Sequence, residues 1–168
     1  MIITSRPDLQ ACRTRCREAA TRAVSALSEL LESHADRPDV VLRTLKFDKI
    51  GWDPLNLERR DNFCEQVDQQ ATVIAALDAT EWLMERHPGK RWRVEPAATG
   101  TGNDIVSDDG DVVAEVFAAV DPRNNRKLKK DLAKARAAAG ARHRYVIYRS
   151  PIAAVQPFED VVVHRLPD

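Results

Sequence analysis

The chain has 168 residues, 43% of them hydrophobic and 31% charged, which suits one globular domain with a sizeable core and excludes a disordered chain. Lys+Arg and Asp+Glu are equal at 26 each, so net charge gives no argument for nucleic acid or an anionic membrane, and any basic surface must be a local patch. No apolar run is long enough to span a bilayer, and the start, MIITSRPDLQ, lacks the apolar core of a signal peptide. A cytoplasmic protein without a membrane partner is the expectation.

In chain order, the first predicted element is a helix from Asp8 to about Ser33. Leu9, Cys12, Cys16, Ala20, Ala23, Leu27 and Leu30 recur there at three- and four-residue spacing. Arg13, Arg15, Arg17 and Arg22 occupy its polar face, either as a solvated surface or as a contact for an acidic partner. Cys12 and Cys16, one turn apart, read as small apolar residues on the buried stripe. As metal ligands they would need two more. His34, His87, His143 and His164 are scattered without zinc-type spacing. Val40-Val41-Leu42 suggests a short strand, and Gly51-Trp52-Asp53-Pro54 a turn. Residues 1–60 thus read as an N-terminal helix with its connecting segment, and 61–168 as the α/β core of one compact domain.

A second helix is predicted from about Asp61 to Arg86, ending before His87-Pro88-Gly89. Its apolar row, Phe63, Val67, Ile74, Leu77 and Met84, is interrupted by Gln70 and Glu81. An unpaired buried polar group costs roughly 1–3 kcal/mol, so both must be hydrogen-bonded, at the row's edge, or aimed at a site. The pattern then changes to period two. Strands are predicted at Arg91–Pro96, Asn103–Ser107 and Asp111–Val120, with a loop at Ala97–Gly102 and a turn at Asp109-Gly110. A third helix is expected from about Pro122 to Ala139, with Asp121 as its N-cap and Gly140 as its terminator. Strands at His143–Arg149 and Asp160–His164 close the chain.

The hairpin carries the chemistry. With Asp109-Gly110 as its turn, Ser107 pairs with Val112, Val106 with Val113, Ile105 with Ala114, and Asp104 with Glu115. Directly opposed residues place their Cβ atoms roughly 4.5–5.5 Å apart on one face. Two carboxylates there repel, and Glu115 lies inside the apolar run Val112–Val120. Such a carboxylate needs a proton, a basic neighbour or a cation. A hard divalent ion binds through one or two carboxylates and keeps waters for chemistry. A buried ion pair at Glu115, with Asp104 merely ending a strand, is the structural alternative.

This order, helix–strand–strand–strand–helix–strand, with Asp104 in Gly102-Asn103-Asp104-Ile105-Val106 and Glu115 in Val113-Ala114-Glu115-Val116-Phe117, resembles the PD-(D/E)xK nuclease superfamily, also called restriction-endonuclease-like. The likeness covers roughly Asp61 to Ser150, with an extra helix before it. It implies an α/β fold with a restriction-endonuclease-like core. It also implies Mg²⁺ or Mn²⁺ held by Asp104 and Glu115, and hydrolysis of DNA phosphodiesters. The superfamily's lysine, two residues after the glutamate, is replaced by Phe117. Either another element supplies a lysine or the domain does not cleave, and serves instead as a protein- or nucleic-acid-binding subunit. Of Lys127, Lys129 and Lys130 on the third helix, Lys129 lies nearest the row Asn125, Leu128, Leu132, Ala135 and Ala139, with Lys127 second. Asn125 is a candidate to orient water, and Gln70 one to reach the metal from the preceding helix. A homodimer or a partner protein is compatible with the sequence.

Gly100-Thr101-Gly102 leads into a strand and so fails as a dinucleotide fingerprint. Trp82 and Trp92 are candidates for base stacking or for the core.

Overall fold

The computed structural model describes residues 1–96, 102–123, 126–152, 158 and 160–167. In chain order its elements are β1 (Ile2–Ile3), α1 (Arg6–Ser33), α2 (Pro38–Phe47), β2 (Gly51–Trp52), β3 (Arg60–Asp61), α3 (Phe63–Arg86), β4 (Trp92–Val94), β5 (Ile105–Ser107), β6 (Val112–Ala118), α4 (Lys127–Ala137), β7 (His143–Arg149) and β8 (Val162–Arg165). The chain forms two compact units, Met1–Leu9 with Ala75–Asp168, and Gln10–Ile74. No helix among the described residues is long and apolar enough to cross a membrane.

In the Gln10–Ile74 unit, Val40-Val41-Leu42 is helical, not extended. Pro38 stands in the first turn of α2, where its missing N–H is not needed, and Asp39 favours the helix N-terminus. These signals outweigh the β-branched pair. β2 and β3 form a small antiparallel ladder in which Gln66 Oε1 accepts the Trp52 N–H at 2.7 Å. A side chain at Gly51 would bring its Cβ to 2.7 Å from that same oxygen and 3.0 Å from the Asn62 carbonyl oxygen, so it would displace Gln66 from the Trp52 N–H. Gln70 donates its amide to the Cys16 carbonyl at 2.8 Å and to Cys16 Sγ at 3.0 Å. Cys12 and Cys16 are both buried.

The other unit is built on a mixed six-stranded sheet of order β1-β4-β5-β6-β7-β8. β1, β4, β5 and β6 pair antiparallel, whereas β6–β7 and β7–β8 are parallel. The β6-to-β7 crossover runs through α4. Along β6, Val113, Glu115 and Phe117 share one face and Val112, Ala114 and Val116 the other. Phe117 packs with Leu132 and Ala135 of α4 and with Val146, Tyr148 and Val161. On the opposite face, Tyr145 meets Trp82 of α3 at 5.5 Å, and Arg149 pairs with Asp78 at 2.7 Å. Both faces of β6 are therefore covered, and Val112 through Phe117 are all buried. That explains why its sequence reads as an apolar run rather than an alternation.

The hairpin has the expected register, with Ile105 opposite Ala114 and Val106 opposite Val113. The ladder ends at Ser107 and Val112, and Gly110 takes φ +71° in the connecting turn. Ser107 Oγ accepts the Val112 N–H at 2.9 Å and donates to Asp109 Oδ1 at 2.7 Å.

α4 begins at Lys127, later than Asp121 and Pro122 suggest. Asp121 Oδ1 instead accepts the Arg123 N–H at 2.9 Å, a local turn that competes with helix initiation. Arg126 precedes the helix in the left-handed region at φ 57°. The expected loop at Ala97–Gly102 falls largely, and Asn125 wholly, outside the described residues.

Candidate functional site

Asp104 precedes β5, where backbone pairing with β6 stops. Its side chain continues the pairing, because Oδ2 accepts the Val116 N–H at 2.8 Å. Its carbonyl accepts the Glu95 N–H at 2.7 Å, which ties the residue to the end of β4. Glu115 projects from the middle of β6 toward the α4 side and is only 1% exposed. The two carboxylates are close enough for the Asp104 charge to act on Glu115. Lys134 of α4 donates from Nζ to Glu115 Oε2 at 2.8 Å, and Asn103 donates its amide to Oε1.

A second pair adjoins them on the same helix. Lys127 Nζ bonds Asp131 Oδ1 at 2.8 Å and stands 5.7 Å from the centre of the Phe117 ring. Lys127, Asp131 and Lys134 are spaced four and three residues apart, so they form one stripe beside the packed row Leu128, Leu132 and Ala135.

The electrostatics follow from burial. Desolvation pushes the Glu115 carboxyl up to about 7, with the Lys134 hydrogen bond opposing and the Asp104 charge adding. Burial raises Asp104 as well, against the Val116 N–H and the two lysines. Asp131 is raised by burial, with Lys127 opposing and the Asp104 charge adding. For Lys134 burial pulls down, but Glu115, Asp104 and Asp131 together outweigh it, and its pKa is raised.

Compared with known proteins, the chain matches no family model, no curated protein and no solved structure.

Asp104 and Glu115 are brought together by the anticipated register. The lysine on Glu115 is Lys134, however, not Lys129, whose side chain is exposed, nor Lys127, which is paired with Asp131. The reason is helix phase. Lys129 and Lys127 lie roughly 100° to either side of the buried row, and the flank that meets β6 is the one carrying Lys127, Asp131 and Lys134. Gln70 belongs to the Gln10–Ile74 unit and spends its amide on Cys16. Glu81 lines a pocket with Asp78, Trp82, Glu85 and Arg149, on the sheet face opposite Glu115. Trp92 is wholly buried, and Trp82 stacks on His164 at 4.2 Å. Lys134, Asp131 and Asn103 were the residues missed. The signal for the first two was their spacing from Lys127; for Asn103 it was adjacency to Asp104.

The donor set suits a hard divalent ion. Asp104 and Glu115 offer carboxylate oxygens, the ligand type a hard ion takes, and burial raises the proton affinity of both. Among the described residues no group of three or more His, Cys, Asp or Glu is arranged to hold a metal ion. Asp104 and Glu115 are thus the residues that could hold an ion here, and only one that needs no more than one or two protein carboxylates, as Mg²⁺ does, is compatible with them.

Proposed function

We propose that this chain is a Mg²⁺- or Mn²⁺-dependent nuclease-like domain of the PD-(D/E)xK kind that hydrolyses DNA phosphodiesters. One observation carries the reading: Lys134 reaches Glu115 at 2.8 Å, beside Asp104. Two carboxylates and a lysine thus meet although the motif's lysine position is Phe117. The order α3–β4–β5–β6–α4–β7 supports the same assignment.

A bound ion would polarise the phosphate and make a water nucleophilic at neutral pH. Asp104 and Glu115 would hold it. The Lys134 ammonium, kept charged by the carboxylates around it, would orient the attacking water and offset charge developing on the phosphate. Asn103 holds the other Glu115 oxygen, fixing the carboxylate plane. Phe117, stacked on Tyr148 with ring centres 5.7 Å apart, serves the core instead of the chemistry.

Both oxygens of Glu115 are already hydrogen-bonded. That favours a second reading, a non-cleaving domain that binds protein or nucleic acid and in which Lys134–Glu115 is a buried structural pair. Incubation of supercoiled DNA with the purified chain and Mg²⁺ or Mn²⁺ separates them. Cleavage is expected, and Lys134→Met should lower its rate by about 10²-fold or more, as loss of one charge-stabilising group does. Absence of cleavage of DNA and RNA with either ion would favour the non-cleaving domain. Full activity in Lys134→Met would remove the lysine from the mechanism.

A further inference from the structure

The motif resemblance accounts for Asp104, Glu115 and a lysine, but leaves Asp131 without a task. Asp131 is 3% exposed. Its Oδ1 takes the Lys127 ammonium, while Oδ2 is buried and has no hydrogen-bond partner among the described residues. A carboxylate oxygen taken from water without a replacement is costly, so Oδ2 calls for a proton, a water or a cation beside it.

Its surroundings indicate what that is. Asp131 stands on α4 between Lys127, which lies over Phe117, and Lys134, which holds Glu115. Glu115 and Phe117 are two residues apart on one face of β6. Asp131 therefore opposes the strand segment between them, beside the Asp104–Glu115 pair. With Asp104, Glu115 and Asp131 set against Lys127 and Lys134, the group carries one excess negative charge when all five are ionised. The three carboxylates do not close into a direct three-ligand cage.

We propose that Asp131 is a third cation-holding residue of this centre, acting through Oδ2 on water in the ion's hydration shell rather than as a direct ligand. This rests on the metal-centre reading of Asp104 and Glu115. Asp131 is thus a positioning residue, and Lys127 is its counter-charge, not a second water-orienting lysine.

Titration calorimetry with Mn²⁺ alone, on the full chain, tests this without any nuclease assay. Asp131→Asn and the smaller Asp131→Ser are measured in parallel, each after its thermal melt shows a folded protein. Mn²⁺ affinity should fall by about 10–100-fold in both, the usual effect of removing a group that orients a metal's immediate ligands. Lys127→Met, which breaks the same ion pair from its other end, should leave affinity unchanged or higher. A merely structural pair would respond alike to loss of either partner, lowering the melting temperature without changing Mn²⁺ affinity. Wild-type binding with equal affinity in Asp131→Asn and Asp131→Ser would overturn this inference alone. No Mn²⁺ binding by the wild type would overturn the metal centre itself.

Discussion

Glu115 is an acid placed where its charged form is poorly solvated, and this gives the folded chain a pH signature. Burial first, opposed by Lys134 and reinforced by Asp104, moves its carboxyl from 4.5 to about 7. Between those values the folded chain keeps a proton that the unfolded chain has released. Stability must therefore fall as pH rises through this window. Asp104 and Asp131 are raised by the same cause and act in the same direction. Lys134, raised from 10.5, contributes a constant amount there, because both its folded and unfolded forms are protonated. Glu115→Gln cannot ionise and should remove up to about 3 kcal/mol of this decline. Thermal melts from pH 4.5 to 8 are the check. The slope is the readout, since the amide also loses the Lys134 pair and lowers stability at every pH. An equal slope in wild type and Glu115→Gln would place the titrating proton elsewhere. Saturating Mn²⁺ should reverse the trend, stabilising the wild type more at pH 8 than at pH 5.5, because binding requires the ionised carboxylates.

At the scale of elements, α4 fastens the site by two neighbouring stripes, one apolar and one charged. Leu132 and Ala135 pack on Phe117, and this sets the helix height and phase at which Lys134 meets Glu115. Phe117→Lys would restore the motif lysine in sequence yet place an ammonium in a 2% exposed position between Tyr148 and Leu132. It should cost at least about 3 kcal/mol, the lower range for losing a buried phenylalanine, and should not restore cleavage to Lys134→Met. Urea unfolding and the cleavage assay measure the two effects, and recovery of activity in the double variant would contradict the packing role of Phe117. The same elements show what the sequence could reveal. The Asp109-Gly110 turn fixed the hairpin register, because a one-residue slip would turn Glu115 to the other face. β7 was readable from His143 to Arg149. Val40-Val41 reads as a strand because the β-branched pair masks the helix signal of Pro38, and α4 starts later than the sequence suggests because Asp121 spends its carboxylate on a local turn. Helix phase was the deeper limit. Sequence periodicity locates a buried row, but which flank of that row meets the hairpin depends on the crossover, and that decided between Lys129 and Lys134.

For the whole molecule, balanced charge hides a local excess. Net charge is zero, yet residues 123–136 contain Arg123, Arg126, Lys127, Lys129, Lys130, Lys134 and Arg136 against Asp131 alone. Several of these are committed: Arg123 to Asp121, Lys127 to Asp131, Lys134 to Glu115 and Arg136 to Asp160. Lys129 and Lys130 are exposed on the helix that carries the site. On the proposed function, long side chains there would follow a DNA backbone, so Lys129 would act on phosphates rather than on water. Each phosphate neutralised adds about 0.9 to the slope of log affinity against log salt. If the chain binds DNA, the double variant Lys129→Ala with Lys130→Ala should therefore weaken that binding and reduce the slope by about 2, as measured by fluorescence anisotropy across salt concentrations without divalent ions, where no metal-dependent cleavage can occur. Mn²⁺ affinity should remain at the wild-type value, since neither lysine touches Asp104, Glu115 or Asp131. An unchanged salt slope would assign DNA contact to another surface. A lowered Mn²⁺ affinity would mean that Lys129 and Lys130 are not independent of the Lys127–Asp131–Lys134 stripe.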